Sequence, residues 1–177
     1  MADFALDSFD RKILQELQSG GRLTNVELAE KVGLSPSPCL TRVRRLEEAG
    51  IVRNYVAILD AERLGPAVSV FIQITLALQS QQTLDTFEKA VGSMPEVMEC
   101  YLMTGDSDYL LRVVVRDTVA LRDFILDKLT KTPGVANIRS SFALKQVTYK
   151  TALPLNELWG DLFGPTRRAA GPPKGRS

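Results

Sequence analysis

Residues 24–46 read TNVELAEKVGLSPSPCLTRVRRL and predict two helices joined by a tight turn. Thr24 and Glu27 have the spacing of a capping box, in which each side chain bonds the other residue's backbone amide at a helix start. Val26, Leu28, Ala29 and Val32 have the helical spacing of a buried stripe in this first helix. Gly33 follows the last of them and predicts a left-handed helix end. The stretch therefore predicts a helix-turn-helix.

The second helix is expected to cover residues 36–49, with Ser35 as its N-cap and Pro36 at its first position. The apolar positions expected to face inward are Cys39, Leu40, Val43 and Leu46. The remaining face combines hydroxyls with three arginines: Ser37, Thr41, Arg42, Arg44 and Arg45. Arginine binds guanine bidentately or clamps a phosphate, and the N-terminal end of a recognition helix contacts base edges. The face predicts binding to double-stranded DNA; an ordinary solvated helix is the alternative.

An earlier helix and a following strand complete the predicted DNA-binding domain, residues 1–60. Asp7 is placed to cap the earlier helix. Residues 51–59 read as a short strand, the wing of a winged helix-turn-helix. Arg53 on this strand is expected to touch phosphate, although a solvated strand charge is an almost equal alternative. The candidate DNA-binding residues are Ser35, Ser37, Thr41, Arg42, Arg44, Arg45 and Arg53.

Overall composition limits the classes of function. The chain has 177 residues, 45% of them hydrophobic, which suits one ordinary domain or two small ones. Its formal net charge is only +1, so a basic DNA-binding face must be local, and the module is expected to work as a dimer or larger.

Residue types that support catalysis or metal binding are scarce. Histidine, the commonest general base and metal ligand, is absent, and no phosphate-binding glycine loop or zinc spacing occurs. We therefore expect no enzyme, no metal site and no cofactor. Cys39 and Cys100 lie in apolar patterns, which indicates core thiols of a cytoplasmic protein and not a disulfide. No signal peptide and no membrane-spanning apolar run are apparent.

The second half, residues 68–150, follows a linker at residues 61–67. Strands are predicted at residues 68–78, 97–104, 109–115 and 135–148, and helices at residues 83–91 and 118–131. The order β-α-β-β-α-β is that of a ferredoxin-like domain, with both helices on one face of the sheet. The fold class is therefore α+β: an N-terminal winged helix-turn-helix followed by a C-terminal ferredoxin-like domain.

The strand predicted at residues 97–104 is apolar on both faces, which is typical of a strand buried on both sides. The two helices cover only one side of the sheet. We therefore expect a second copy of the chain to cover the other side, sheet against sheet. A modest apolar patch facing solvent is the alternative.

The turn at residues 105–108 brackets a serine with two carboxylates, Asp106 and Asp108. A free amino acid has an ammonium group for carboxylates and a carboxylate for backbone N–H groups, so the turn is a candidate effector site. The apolar residues nearby that would hold a ligand side chain are Leu102, Met103 and Phe142. Ordinary turn chemistry is the simpler alternative, since Gly, Asp and Ser are common in turns.

Two sets of short motifs are distinctive in combination. The first half has Leu6-Asp7 with Asp10-Arg11-Lys12-Ile13-Leu14, then Val32-Gly33-Leu34-Ser35 with Pro38-Cys39, and Arg42-Val43-Arg44-Arg45-Leu46-Glu47. The second half has Gly105-Asp106 with Asp108-Tyr109-Leu110-Leu111, and Pro133-Gly134-Val135. Together they resemble the Lrp/AsnC family, the feast/famine regulators of bacteria and archaea, over about residues 6–154.

The resemblance implies a cytoplasmic, nucleoid-associated transcriptional regulator that forms dimers and assembles into octamers or larger particles. It also implies that the C-terminal domain binds a small effector, usually an amino acid, in a cleft between subunits. The matching positions are Leu102, Met103, Thr104, Gly105, Asp106, Asp108, Tyr109, Thr118, Ser140, Ser141 and Phe142. Within that family, the resemblance of residues 95–106 and 140–147 implies leucine, isoleucine or valine as effector. A nucleoid-type architectural protein that wraps DNA without a ligand is the alternative.

Residues 151–177 extend past this pattern. A short helix is expected at residues 155–163, using Leu158, Trp159 and Leu162. The end of the chain reads as a disordered basic extension that either adds nonspecific DNA affinity or is inert. Its cations are Arg167, Arg168, Lys174 and Arg176.

Overall fold

Three helices begin the chain: α1 (Ser8–Ser19), α2 (Asn25–Val32) and α3 (Pro36–Glu48). The computed structural model describes residues 5–164. The chain divides into two units, the first joining residues up to Ile58 with residues from Thr148 onward, and the second covering Leu59–Val147. No helix among the described residues is long and apolar enough to cross a membrane.

Local signals start and stop these helices as predicted. Asp7 caps α1 and Thr24 caps α2, each in a complete capping box. Gly33 ends α2 with a φ of 76°, a left-handed conformation that favours glycine. Ser35 occupies the N-cap position of α3, but its side chain makes no capping hydrogen bond. The helix-turn-helix is therefore formed. The Ser35 side chain is exposed at the start of its second helix, α3.

The first unit has one apolar core, which includes Ile13, Leu14, Leu28, Ala29, Val32, Cys39 and Leu46. Two positions predicted to face inward do not, because Val26 is 62% exposed and Leu40 is 38% exposed. At about 100° per residue, each lies roughly a quarter turn or more from the centre of its helix's buried stripe. The apolar stripe of each helix is therefore narrower than predicted.

The predicted wing strand at residues 51–59 is not formed. Every strand among the described residues belongs to the second unit, so this segment has no ladder partner in its own unit. Tyr55, Val56 and Ile58 are about half or more exposed along it. An alternating apolar pattern predicted a strand, but a strand also needs a neighbour for its backbone groups.

The C-terminal segment returns to the first unit. It forms a short helix, α7 (Leu155–Trp159), followed by a 3₁₀ turn at Gly160–Phe163. Leu155 and Phe163 are buried in the core of the first unit, whereas the predicted contact residues Leu158, Trp159 and Leu162 are exposed. The prediction was wrong because the α-helix ends at Trp159, so the spacing of 3.6 residues does not continue to residue 163.

The second unit has the predicted β-α-β-β-α-β order. A short helix, α4 (Ala61–Leu64), lies in the segment predicted to be a linker. The remaining elements are β1 (Val68–Leu76), α5 (Gln81–Gly92), β2 (Val97–Leu102), β3 (Tyr109–Val115), α6 (Thr118–Asp123) with a π-helical turn at Phe124–Leu129, and β4 (Val135–Phe142). Asp117 caps α6 by accepting a hydrogen bond from the Ala120 amide. The antiparallel sheet has the order β2-β3-β1-β4.

Three strands end earlier than predicted, namely β1, β2 and β4. The strand β4 stops at Phe142, which pairs with Val70, and one further bond joins the Ala143 amide to the Ser69 carbonyl. Because β1 begins at Val68, it offers no partner to residues 145–148. The end of β1 at Leu76 coincides with a side-chain contact from Asp108 to its amide. Strand ends are thus fixed by neighbours in space and not by the apolar pattern alone.

The two faces of the sheet differ in burial. One face packs under α5 and α6 and carries the core residues Val70, Ile72, Ile74, Leu111 and Val113. The other face carries Phe71, Gln73 and Thr75 of β1. The strand β2 lies at an edge, and Met98, Tyr101 and Leu102 on it are about half exposed. The burial predicted for both faces of this strand is therefore not met within one chain.

Candidate functional site

The exposed face of α3 is the first candidate site. Ser37, Thr41 and Arg44 are exposed at positions i, i+4 and i+7, which places them in one line along the helix. The Thr41 hydroxyl donates to the Ser37 carbonyl at 3.1 Å. Arg44 makes no ion pair with any other described residue. Arg53, beyond the helix, is also exposed.

The other two arginines of α3 are engaged within the protein. The guanidinium of Arg42 lies 2.8 Å from both Asp7 and Asp10, and that of Arg45 lies 2.7 Å from Asp10. Asp10 is completely buried, and the Arg42 side chain is 26% exposed. Arg42 also lies over the Phe9 ring at 5.5 Å. These contacts tie α3 to α1, so Arg42 in particular fixes the position of the helix.

Electrostatics keep two members of this cluster, Asp7 and Arg42, ionised. Burial opposes the charged form of Asp7, but hydrogen bonds from the Asp10 amide and from Arg42 outweigh it and lower the pKa of the Asp7 carboxyl. Burial likewise opposes the charged form of Arg42, and hydrogen bonds to Asp10 and Asp7 outweigh it and raise the pKa of the guanidinium. Both groups are therefore charged at neutral pH.

In the second unit, the buried carboxylate of Asp108 accepts hydrogen bonds from within the protein. It is only 7% exposed, and one oxygen accepts the Leu76 amide at 2.6 Å. Its other oxygen accepts a hydrogen bond from the Gln79 side chain. Asp108 therefore holds the turn against the end of β1, and its carboxylate is not presented to solvent as an ammonium ligand.

Tyr109 is also turned inward. It is 1% exposed, its hydroxyl donates to Glu88 at 2.8 Å, and its ring lies 4.6 Å from the Phe87 ring. Burial, together with the hydrogen bond to Glu88, raises the pKa of the Tyr109 phenol. Its side chain belongs to the helix-covered face and not to an open cleft.

The remaining predicted effector residues are spread over both faces. Ser141 pairs with Phe71 on the open face, whereas Ser140 and Phe142 pair with core residues of β1 and lie on the opposite face. Leu102 pairs with Tyr109 on that same covered side. Met103, Thr104, Gly105 and Asp106 are exposed at the turn.

Thr118 lies far from that turn along the sheet. It begins α6, just after the C-terminal end of β3, whereas the turn precedes the N-terminal end of β3 at Tyr109. Seven residues of strand separate the two ends, roughly 23 Å at 3.3 Å per residue. A single chain therefore does not bring all the predicted effector residues together.

A depression of about 250 Å³ lies on the open face beside the turn. It is lined by Gln73, Thr75, Asp106, Ser107, Asn137 and Arg139. Cross-strand pairing creates it, because Gln73 stands opposite Arg139 and Thr75 opposite Asn137. It offers a carboxylate and a guanidinium in one place, which are the two charges that complement a free amino acid.

Of these lining residues, the predicted effector set contained only Asp106, and Ser107 lies in the same predicted turn. Gln73, Thr75, Asn137 and Arg139 were missed, although each is a polar residue alternating with apolar ones along a predicted strand. That alternation indicates an outward side chain, but only the register between β1 and β4 places the four together. The missing information was the strand pairing.

Both units match family models. Residues 6–53 match the winged helix-turn-helix DNA-binding family, and residues 69–153 match the Lrp/AsnC ligand-binding domain. The chain is 51% identical over 150 residues to the Bkd operon transcriptional regulator of Pseudomonas aeruginosa, covering 85% of this chain and 98% of that protein. It is 45% identical to a leucine-responsive regulatory protein of Rhizobium meliloti, covering 80% and 91%.

Solved structures agree with the fold. A transcriptional regulator of Neisseria meningitidis in complex with L-methionine superimposes with a TM-score of 0.81 at 46% identity, covering 86% of this chain and 99% of that one. The predictions of a regulator and of the α+β architecture are therefore confirmed. This chain belongs to the Lrp/AsnC family of DNA-binding transcriptional regulators, proteins that act by binding and not by catalysis.

Proposed function

We propose that this regulator recognises specific DNA sites through the exposed face of α3 and that an amino acid bound in the open-face depression alters that recognition. Ser37, Thr41 and Arg44 point outward along one line of α3, in the arrangement that helix-turn-helix proteins use in the major groove. Arg44 supplies the guanidinium that reads a guanine or a phosphate. Ser35, Arg45 and Arg53, all exposed, supply flanking phosphate contacts.

Arg42 has a different role in this proposal. Its guanidinium is held by Asp7 and Asp10, so it orients α3 instead of reaching bases. Arg45 shares Asp10 but keeps 46% of its side chain exposed, which leaves it available to a phosphate as well. On α3, two arginines are therefore anchored, whereas Arg44 makes no ion pair within the described residues.

The observation that carries the effector proposal is the presence of Asp106 and Arg139 in one depression. Asp106 complements an ammonium group and Arg139 a carboxylate, while the amides of Gln73 and Asn137 supply further hydrogen bonds. Ligand sites typically combine a few such polar groups with an apolar wall.

The lining of the depression is polar, but apolar side chains lie next to Gln73 on the same face. Leu110 pairs with Gln73 on the open face, and Phe71 lies two residues before Gln73 on that face. Both are only partly buried. A branched aliphatic side chain beside them would lose water contact, which favours leucine, isoleucine or valine over a polar amino acid. Relatives named leucine-responsive, and a neighbour in complex with L-methionine, support an apolar amino acid.

Self-association completes the proposal. On edge strand β2, the half-exposed Tyr101 pairs with Leu110 on the open face, and a second copy of that face is the complementary surface. A dimer would present two α3 helices to half-sites about one turn of DNA, roughly 34 Å, apart. Larger assemblies, octamers included, would place several such pairs on nucleoid DNA. An effector can shift the equilibrium between two states of this assembly only by as much as its affinities for the two states differ.

Replacing Arg139 by Gln is expected to weaken amino-acid binding roughly ten- to a hundredfold, because a charge-assisted hydrogen bond to the ligand carboxylate is lost. A thermal-shift titration of the full chain against the twenty amino acids measures this, since a ligand of the native state raises the melting temperature. Leucine, isoleucine or valine should raise the melting temperature of the parent protein.

Arg122→Gln is the matched control, because Arg122 is an exposed arginine on α6 of the same unit, away from the depression. It should titrate like the parent protein. An Arg139→Gln protein with an unchanged titration would remove the depression as the effector site. A parent protein that no amino acid stabilises would contradict an amino-acid effector altogether.

A further inference from the structure

Leu40 is an apolar residue on the outward side of α3. It is 38% exposed, and it is the only large aliphatic side chain exposed on this helix, all of whose residues the structure describes. Leu46 of the same helix is completely buried, and Val43 packs against the core of the first unit. Leu40 therefore lies at the margin of the buried stripe and is turned toward solvent.

This position puts Leu40 beside the proposed reading line of Ser37, Thr41 and Arg44. Leu40 follows Ser37 by three residues and precedes Arg44 by four. Side chains at these spacings are neighbours on a helix surface, with Cβ atoms about 5–6 Å apart. Long side chains on a helix lean toward its N-terminus, so the isobutyl group leans toward Ser37. Leu40 therefore shares the surface of the residues that are proposed to contact bases.

The helix under Leu40 is held in place on several sides. The preceding residue, Cys39, is completely buried. The ion pairs of Arg42 tie the helix to α1. The side-chain amide of Asn25 donates to the Pro36 carbonyl at 2.8 Å, which ties the first turn of α3 to the start of α2. A helix fixed in this way would present Leu40 to a DNA groove at one depth and in one register.

The chemistry of leucine limits what this side chain can contact on DNA. It has no hydrogen-bond donor or acceptor, so it reads none of the polar groups on base edges and bonds no phosphate. The C5-methyl of thymine is the apolar group that base edges present in the major groove, and apolar side chains contact it. Leu40 thus matches thymine and no other base.

We infer that Leu40 is a specificity-determining residue, which selects thymine by contact with its methyl group while α3 lies in the major groove. The inference rests on the proposed DNA-binding function. The side chains of Leu40 and Arg44 are surface neighbours, and stacked bases are about 3.4 Å apart. The selected thymine should therefore lie within about two base pairs of the base that Arg44 contacts.

Removal of the methyl from the DNA tests this inference. The duplex that the full chain enriches from a random-sequence pool is prepared twice, once with thymine and once with deoxyuridine in its place. Deoxyuridine lacks the methyl and keeps the hydrogen-bonding groups. Fluorescence anisotropy at fixed salt gives the affinity of the parent, of Leu40→Ala and of Val26→Ala. Val26 is the matched control, an exposed aliphatic residue on α2. All three proteins keep residues 165–177, the predicted basic extension, which lies outside the described residues.

The parent should prefer the thymine duplex by roughly fourfold for each methyl contact, the value that burial of one such group gives. Leu40→Ala should bind both duplexes alike, and Val26→Ala should keep the preference of the parent. Single deoxyuridine substitutions, measured with the parent alone, should place the loss at one thymine in each half-site.

A parent protein that binds the two duplexes equally would overturn the inference, as would a Leu40→Ala protein that keeps the full preference for thymine. Loss of the preference in Val26→Ala as complete as in Leu40→Ala would also overturn it, because the effect would not belong to Leu40. In each case the proposed α3 site would stand. A full chain that enriches no duplex at all would instead contradict the proposed function.

Discussion

Asp10→Ala is expected to lower the free energy of unfolding of the first unit by about 3 kcal/mol, the low end of the cost of removing one partner from a buried ion pair. The Asp10 carboxylate is completely buried and accepts from Arg42, Arg45 and the Asp7 amide. Its loss removes one carboxylate from Arg42, which keeps Asp7, and one from Arg45, and it opens the capping box of α1. Equilibrium unfolding in urea, followed by circular dichroism, measures the change.

Glu16→Ala is the control for this effect. Glu16 pairs with Lys31 at 2.8 Å, but both side chains are substantially exposed, at 31% and 50%. Exposed pairs contribute little, so this variant should cost less than about 1 kcal/mol. If the two variants were equally stable, the buried cluster would not hold α3 in place.

Arg44→Ala is expected to weaken binding to a specific DNA site by roughly 1–3 kcal/mol, which corresponds to a loss of about five- to 150-fold. The free energy of unfolding of this variant should differ from the parent's by less than about 0.5 kcal/mol, because the Arg44 side chain is exposed and forms no ion pair within the described residues. Fluorescence anisotropy with a labelled duplex at fixed salt measures the affinity.

Arg22→Ala is the matched control, since Arg22 is an exposed arginine in the turn before α2 and not on α3. This variant should bind DNA like the parent protein. An Arg44→Ala protein that also keeps full affinity would exclude the exposed face of α3 as the reading surface.

Local sequence signals predicted much of this fold. The cap at Asp7, the capping box at Thr24 and the left-handed Gly33 are set by residues within a few positions of each other, and each formed as predicted. The strand and helix order of the second unit followed from period-2 and period-3.6 patterns in the same way. Such signals identify elements because the interactions that make them are short in sequence.

Contacts between residues distant in sequence escaped prediction. The bonds from Arg42 and Arg45 to Asp10 join residues 32 and 35 positions apart. The sequence alone therefore did not distinguish these two arginines from Arg44, which makes no ion pair within the described residues. Asp108 looked like a ligand, but the amide of Leu76, 32 residues away, uses its carboxylate. Arg139 stood out in no motif, because only the pairing of β1 with β4 brings it beside Gln73.

The failed strand at residues 51–59 has the same cause. Its pattern was correct for a strand, but pairing depends on a neighbour that the pattern does not specify. The burial of Leu155 and Phe163 also depended on where the last helix ends, which no local stop signal before Trp159 indicated. Tertiary partners, and not propensity, decided each of these cases.

The central claim is sequence-specific DNA recognition that an amino acid modulates, and selection from a random-sequence DNA pool tests it most directly. The full chain is used with and without leucine, and the bound DNA is sequenced. We predict one enriched motif with two half-sites related by approximate two-fold symmetry, about one helical turn apart, whose enrichment changes with leucine. Recovery of no motif under either condition would contradict the claim and indicate a protein that wraps DNA without reading it.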